Sequence, residues 1–403
     1  MAAHHNADGY AISSQNYFSE LSRFTGETLV PASHQAISRA RSKIDWQAFR
    51  HLLEEANQDA SLSGSGYRYH EHVTRAIDGT QLTLPHSDEL LEYFDQRSSI
   101  AGLGHYPGAL LVTAMNVFTG QCKAARVVNH TASERDQLLS MIELDFNQGD
   151  LSLLDRGFGG DQVFLCFEDH RQFYLCRMRS TGERNALYIQ GFLASRKKQC
   201  VITQTVVRAQ SGESVEIRIK LVRGPNDSEG KPIILATNLI DEKMEKKYSR
   251  KSLLNLYRFR WMVETMYGRV KNLLKLESFH AKNVNGVMQE IFANLLVISL
   301  TAMILLAAAE KLKLDPDVAV PSFKNAQAVV KRHLFEAIKL PPHLSTKQKT
   351  KDLVKTLIEE ASRIIWKKQP GRRFPRVSQQ PIKPWNLAKN KKLKEYKKSL
   401  KND

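Results

Sequence analysis

The feature that most constrains this chain is the stretch YRFRWMVETMYGRVK, residues 257–271. At about 100° per residue, Tyr257, Arg260, Glu264 and Lys271 fall on one side of a helix, within an arc of roughly 60°. Phe259, Met262, Met266, Val270 and Leu273 fall on the opposite side. The spacing predicts one helix over residues 252–276 that buries its apolar side and holds the four polar groups in a row. A solvated surface helix with an Arg260–Glu264 pair at i,i+4 satisfies the same spacing, but gives no reason for that mixture of residue types.

The chain has 403 residues and a formal net charge of +17. Its length suits two or three domains, and its charge points to a polyanionic partner, nucleic acid before an acidic membrane surface. The four cysteines (Cys122, Cys166, Cys176 and Cys200) form no C-x-x-C pair, so reduced thiols are expected rather than a disulfide frame or a zinc site. The first twenty residues lack the pattern of a signal peptide. Residues 295–309 are apolar throughout, but the run is shorter than the ~20 residues a bilayer needs and contains Ser299 and Thr301. A buried core helix is expected there, with no membrane and a cytoplasmic, nucleoid-associated location.

Residues 1–65 look helical. In 36–56, Ile37, Ile44, Phe49, Leu52 and Leu53 can form a buried stripe, with Arg39, Arg41, Lys43 and Arg50 outside it. Residues 75–84, 110–118 and 122–128 then read as three strands, with a turn at Thr119-Gly120-Gln121. Asp78 lies inside the first. It is either part of a tight Asp-Gly turn or a strand acid that needs a partner or a metal. A helix follows over 131–143, with Thr131 or Ser133 as N-cap. The apolar run from Leu151 ends in Asp155 and a glycine-rich turn, which puts the acid at a strand's C-terminal end, where open sheets place their ligand sites. A plain turn or cap aspartate would look the same. Arg156 either contacts a phosphate or balances Asp155.

Residues 173–179 read as a further strand. Residues 186–193, 200–207 and 215–222 are strand-like and suggest a mostly β insertion, after which 233–239 return to the core as a strand, with Asn238 available to orient the next loop. Residues 331–364 look helical and basic, and 371–376 and 390–398 are lysine- and arginine-rich. The expected divisions are thus a helical N-terminal domain (1–65), a core in two parts (66–179 and 231–310) around a β-rich insertion (180–230), and a helical basic C-terminal region and tail (311–403).

The pattern Y-x-x-R-x-x-x-E-x-x-x-x-x-x-K, carried here by Tyr257, Arg260, Glu264 and Lys271, resembles the signature of a large branch of bacterial insertion-sequence transposases. The run around Asp78 resembles that family's first-aspartate motif, and Asp155-Arg156-Gly157-Phe158 its second. The resemblance spans about residues 75–296. It implies an α/β fold, an RNase H-like mixed sheet flanked by helices, and a DDE transposase that cuts and rejoins DNA at the inverted-repeat ends of its element. It also implies an N-terminal domain that contacts DNA, a homodimer in the synaptic complex, and Tyr257, Arg260 and Lys271 as DNA contacts.

Phosphodiester transfer needs an activated nucleophile and charge stabilisation, which two divalent cations about 3.5–4 Å apart supply. Three carboxylates can hold such ions. Asp78 would bridge both, with Asp155 on one and Glu264 on the other, and Mg²⁺ or Mn²⁺ as the metal. Some relatives hold a flipped base on a tryptophan in the β insertion during a hairpin step. The tryptophans here (Trp46, Trp261, Trp366 and Trp385) lie elsewhere, leaving Tyr188 or Phe192 as substitutes. A DNA-binding repressor without catalysis and a host nuclease share the same expected core.

Overall fold

Period-two alternation and short apolar runs build an eight-stranded sheet, and its strand order decides which acids meet. The computed structural model describes residues 10–57, 67–95, 106–180, 186–240, 247–269, 271, 276–315, 318–339 and 347–368. The basic runs at 371–376 and 390–398, together with Val270 and Leu273, lie outside the described residues.

Three helices come first, α1 (Tyr10–Thr25), α2 (His34–Ser42) and α3 (Gln47–Ala56). Strand β1 (Thr74–Thr83) follows, then α4 (Asp88–Phe94), β2 (Gly108–Asn116), β3 (Cys122–Asn129) and α5 (Glu134–Leu144). Next are β4 (Leu151–Leu154), α6 (Asp161–Asp169), β5 (Phe173–Met178), α7 (Leu187–Ala194), β6 (Gln199–Val207), β7 (Ser214–Asn226) and β8 (Pro232–Thr237). The sheet order is β3-β2-β1-β4-β5-β8-β7-β6. β1, β4 and β5 run parallel and the other pairings are antiparallel, so the sheet is mixed. Gly120, at φ +74°, makes the expected turn between β2 and β3, and its N–H donates to the Asn116 carbonyl.

Each face of the sheet carries its own core. Ala76, Leu82, Leu151 and Leu153 belong to one and pack with the helices after β8. Ile77, Leu154, Tyr174 and Ile234 belong to the other, with α5 and α6. The segment 180–230 differs from expectation in two ways. Residues 187–194 form a helix, not a strand, and bury Ile189 and Phe192. β6 and β7 then continue the same sheet beyond β8. Asn238 faces β5 rather than the next loop: its Oδ1 accepts from the Tyr174 N–H and its Nδ2 donates to the Gln172 carbonyl.

The expected helix at 252–276 is a chain of shorter pieces. These are α8 (Arg250–Tyr257), a 3₁₀ turn (Arg258–Arg260) and α9 (Trp261–Gly268). The side that faces the sheet is also reversed. Phe259 and Met262 are exposed, whereas Arg260, Val263 and Tyr267 are buried. Met266 alone of the described apolar stripe is buried. The polar row turns inward because the sheet edge beneath it carries acids that a guanidinium can pair.

Long helix α10 (Val284–Lys311) is capped by Asn283, whose side chain accepts from the Gly286 N–H. It is long and apolar enough to cross a membrane, yet most of its apolar stretch is buried inside the protein, as expected of a core helix. α2 and α3 pack on it, and Trp46 stacks on Phe292 at 5.2 Å. This splits the helix expected at 36–56 and leaves Ile44 and Leu52 exposed, while Ile37 and Leu53 are buried as foreseen. Arg41 is not a free basic group. It pairs with Glu290 at 2.8 Å and donates to Gln289 and to the Gly286 carbonyl. The rest of the described chain is β9 (Ala319–Pro321), α11 (Phe323–Lys339), α12 (Lys347–Ala361) and β10 (Ile365–Lys367), with β9 and β10 paired.

Candidate active site

Asp78 sits in the middle of β1, opposite Thr113 of β2. It is a strand acid, not a turn residue. Alternation places it on the same face as Ala76 and Leu82, beneath α9. Asp155 follows β4 directly, in a turn closed by the Phe158 N–H on its carbonyl. Because β1 and β4 are adjacent and parallel, with Ala76 beside Leu153, the register puts Asp78 level with Asp155 on the neighbouring strand. Glu264, one turn after Arg260, comes down from α9.

Arg260 joins them. Its guanidinium donates to Glu264 and stands 3.8 Å from the Asp78 carboxylate. Burial opposes its charge, but Glu264, Tyr257 and Asp155 together hold its pKa above the ordinary value. Burial pushes the Asp78 carboxyl up to about 6. The Gly79 N–H and Arg260 pull against that, while Glu134 and Glu264 add to it.

Glu134 is a residue that sequence reasoning missed. It opens α5 on the opposite face of the sheet, and its side chain fills the space that a Cβ on Gly79 would need. Burial and the charge of Asp155 raise its pKa. Its neighbour Arg135 donates to the carbonyls of Gly157 and Gly159, both at 2.7 Å, and so holds the turn that carries Asp155. In sequence, Glu134 passes for an ordinary acid in a helix's first turn.

The rest of the polar row divides. The Tyr257 hydroxyl donates to the Leu154 carbonyl at 3.1 Å, so it braces the end of β4 instead of facing solvent. Tyr267 accepts from Thr113 and donates to the Asp78 carbonyl, bracing β1 in the same way. Lys271 reaches the Gln81 carbonyl at 2.6 Å. That is three residues further along β1 than Asp78, roughly 10 Å at the rise of a strand. Lys271 is therefore separate from the acids. Arg156 is exposed, beside a different cavity. Of the two aromatic residues in the insertion, Phe192 is buried beneath the Arg223 guanidinium and Tyr188 donates to Asp161.

The donor set is all carboxylate oxygen, which suits a hard divalent cation. Among the described residues no three acidic, histidine or cysteine side chains stand close enough to cage an ion, and Arg260 lies between two of the acids.

Topology defines a class: an RNase H-like α/β core built on a mixed sheet flanked by helices. The family model for the transposase DDE domain matches residues 69–300, more than half of the chain, and the chain belongs to that family. Its domain is consistent with DNA cleavage and transfer in general. No match was found among curated proteins. Among solved structures, the cryo-EM structure of the piggyBac transposase synaptic complex with hairpin DNA is similar at 11% identity, with a TM-score of 0.39 over 71% of this chain. The chain spans 57% of the length of that protein's chain.

Proposed function

We propose that this chain is a transposase of the branch with the tyrosine–arginine–glutamate–lysine signature, and that it cuts and rejoins DNA at the inverted-repeat ends of its own element. The observation that carries this reading is a charge imbalance. Among the described residues one guanidinium, Arg260, serves Asp78 and Glu264, with Asp155 and Glu134 near enough to act on the same groups. Such a basin draws further cations, although the protein as a whole is strongly basic.

Asp78, Asp155 and Glu264 would hold Mg²⁺, or Mn²⁺ in its place. When bound, the ions supply an activated oxygen nucleophile and neutralise charge on the reacting phosphate. Arg260 has the bidentate fork that suits a phosphate, and carboxylate partners it would exchange for one. Tyr257 and Tyr267 position the strands that carry Asp155 and Asp78. Lys271 would contact the backbone further from the cut. Double-stranded DNA, as element ends and as target, is the partner, and a homodimer the expected assembly.

The test uses duplexes carrying the DNA that flanks the gene, with Mg²⁺ or Mn²⁺. The wild type should nick at the repeat ends and join the new 3′ ends to a target duplex, and Glu264→Gln should do neither. DNA binding without cutting would replace this reading with that of a repressor. Cutting without joining would make the chain a nuclease.

A further inference from the structure

We propose that the cavity beside Arg156 binds backbone phosphates of the DNA strand as it leaves the acidic basin. The proposal rests on the transposase reading and names a site that reading does not require. The cavity has a volume of about 300 Å³, and among the described residues it is lined by four cations, Arg156, Arg177, Arg179 and Lys231, against two acids, Asp227 and Glu229.

Strand order explains why these groups meet. Arg156 follows β4, Arg177 and Arg179 lie at the end of β5, and Lys231 precedes β8. Since β8 runs antiparallel to β5, its start lies at the same edge as the end of β5. The cavity therefore shares the edge that carries Asp155. From β4 to β8 is two strand spacings, about 10 Å. That is roughly three nucleotide steps at 3.4 Å each along a strand.

The charges differ in freedom. Asp227 accepts from Arg177 at 2.8 Å and from the N–H groups of Glu229 and Lys231, which makes a tight turn between β7 and β8. Glu229 pairs with Lys231 at 2.9 Å. Arg156 and Arg179 are both exposed and supply the surplus positive charge. Among the described residues Met178 is the one apolar group in the lining, and none of them offers a ring on which a base could stack. The chemistry suits phosphate rather than base, and so a contact independent of sequence. An anionic backbone would pass from the cation-seeking acids to this basic cavity along one sheet edge.

The probes are a fluorescein-labelled 20-nucleotide single strand and a 30-base-pair duplex of arbitrary sequence, with binding followed by anisotropy across a KCl series. The Arg179→Ser/Lys231→Ser variant should bind about tenfold more weakly at 0.1 M salt, and its slope of log K against log salt should fall by about one to two. Arg179→Lys, which keeps the charge, should bind close to wild type, and unchanged melting would show that each variant folds. Unchanged affinity and slope in the double variant would overturn the proposal, even if the wild type cuts DNA. Displacement of the strand by millimolar inorganic phosphate would also overturn it, in favour of a small-anion site. A wild type that never cuts, with binding that still depends on these cations, would sink the transposase reading and leave the cavity as a nucleic-acid site.

Discussion

Strand β1 carries two clusters of buried charge, on opposite faces and three residues apart. Arg75 pairs with Asp150 while lying 4.0 Å above the Phe146 ring, and the two side chains are 4% and 6% exposed. Burial alone would lower the Arg75 pKa, and Asp150 opposes that. This is one cation against one principal anion, closed to water. Around Asp78 the balance is different. Among the described residues Arg260 alone answers Asp78 and Glu264, and Glu134 and Asp155 add further negative charge. Asp78 and Glu264 are also more open, at 23% and 34%. A matched, dry pair holds strands together. A surplus of one sign, left open, attracts ions of the other sign.

That contrast breaks most clearly at the open cluster. Asp155→Asn or Glu264→Gln should lower the rate of strand cutting by about 10³-fold or more, around 4 kcal/mol of barrier, without lowering the melting temperature. Melting loss with retained cutting would show the open cluster to be structural instead. The closed pair should respond in the opposite way. Asp150→Ala leaves Arg75 buried beside no carboxylate partner of its own and should cost about 3–5 kcal/mol of stability in urea unfolding. A fully stable Asp150→Ala protein would remove the structural half of the contrast.

What could be read before the structure was known follows the range of the signals. Strands β1 to β5 and β8 fall close to where their alternation and apolar runs place them, because those patterns are local. Residues 187–194 defeated the same rule, since a short apolar run does not distinguish a strand from a buried helix. The membership of β6 and β7 in the core sheet depends on pairing between distant segments, which no window of sequence contains. For the central helix, the Arg260–Glu264 pair at i,i+4 was right and the buried side was wrong. The rule that apolar residues face inward fails where the interior itself is charged, and Arg260 is buried while Phe259 is not. That Asp78 lies within a strand and Asp155 directly after one was legible from the runs around them. Glu134 was not, because its role depends on an empty space at Gly79 on another element.

A smaller effect concerns the cost of holding Asp78. Its folded pKa of about 6 lies above the ordinary value of 3.8. The folded state therefore retains the proton more strongly than the unfolded state, and stability falls as pH rises between those two values. In EDTA above about pH 6, Asp78→Asn should stabilise the protein by about 1–2 kcal/mol, after allowance for solvent screening. The gain should vanish towards pH 4, where the aspartate is protonated in both states. A constant gain across that range, measured by melting against pH, would show that packing and not charge limits this position.

The finest test lies at Gly79, where the two faces of the sheet meet. Replacing a strand glycine with alanine ordinarily stabilises a fold by about 0.5–1 kcal/mol, by restricting the unfolded chain. Here the new methyl would enter the space held by the Glu134 side chain, so Gly79→Ala should instead be neutral or destabilising by up to about 1 kcal/mol. In the Gly79→Ala/Glu134→Ala protein the obstruction is gone and the ordinary gain should return. A coupling energy of about 1 kcal/mol in the double-mutant cycle would establish that α5 and β1 touch at this point. Additive effects would mean that Glu134 stands clear of Gly79 and does not belong to the acid surplus around Asp78.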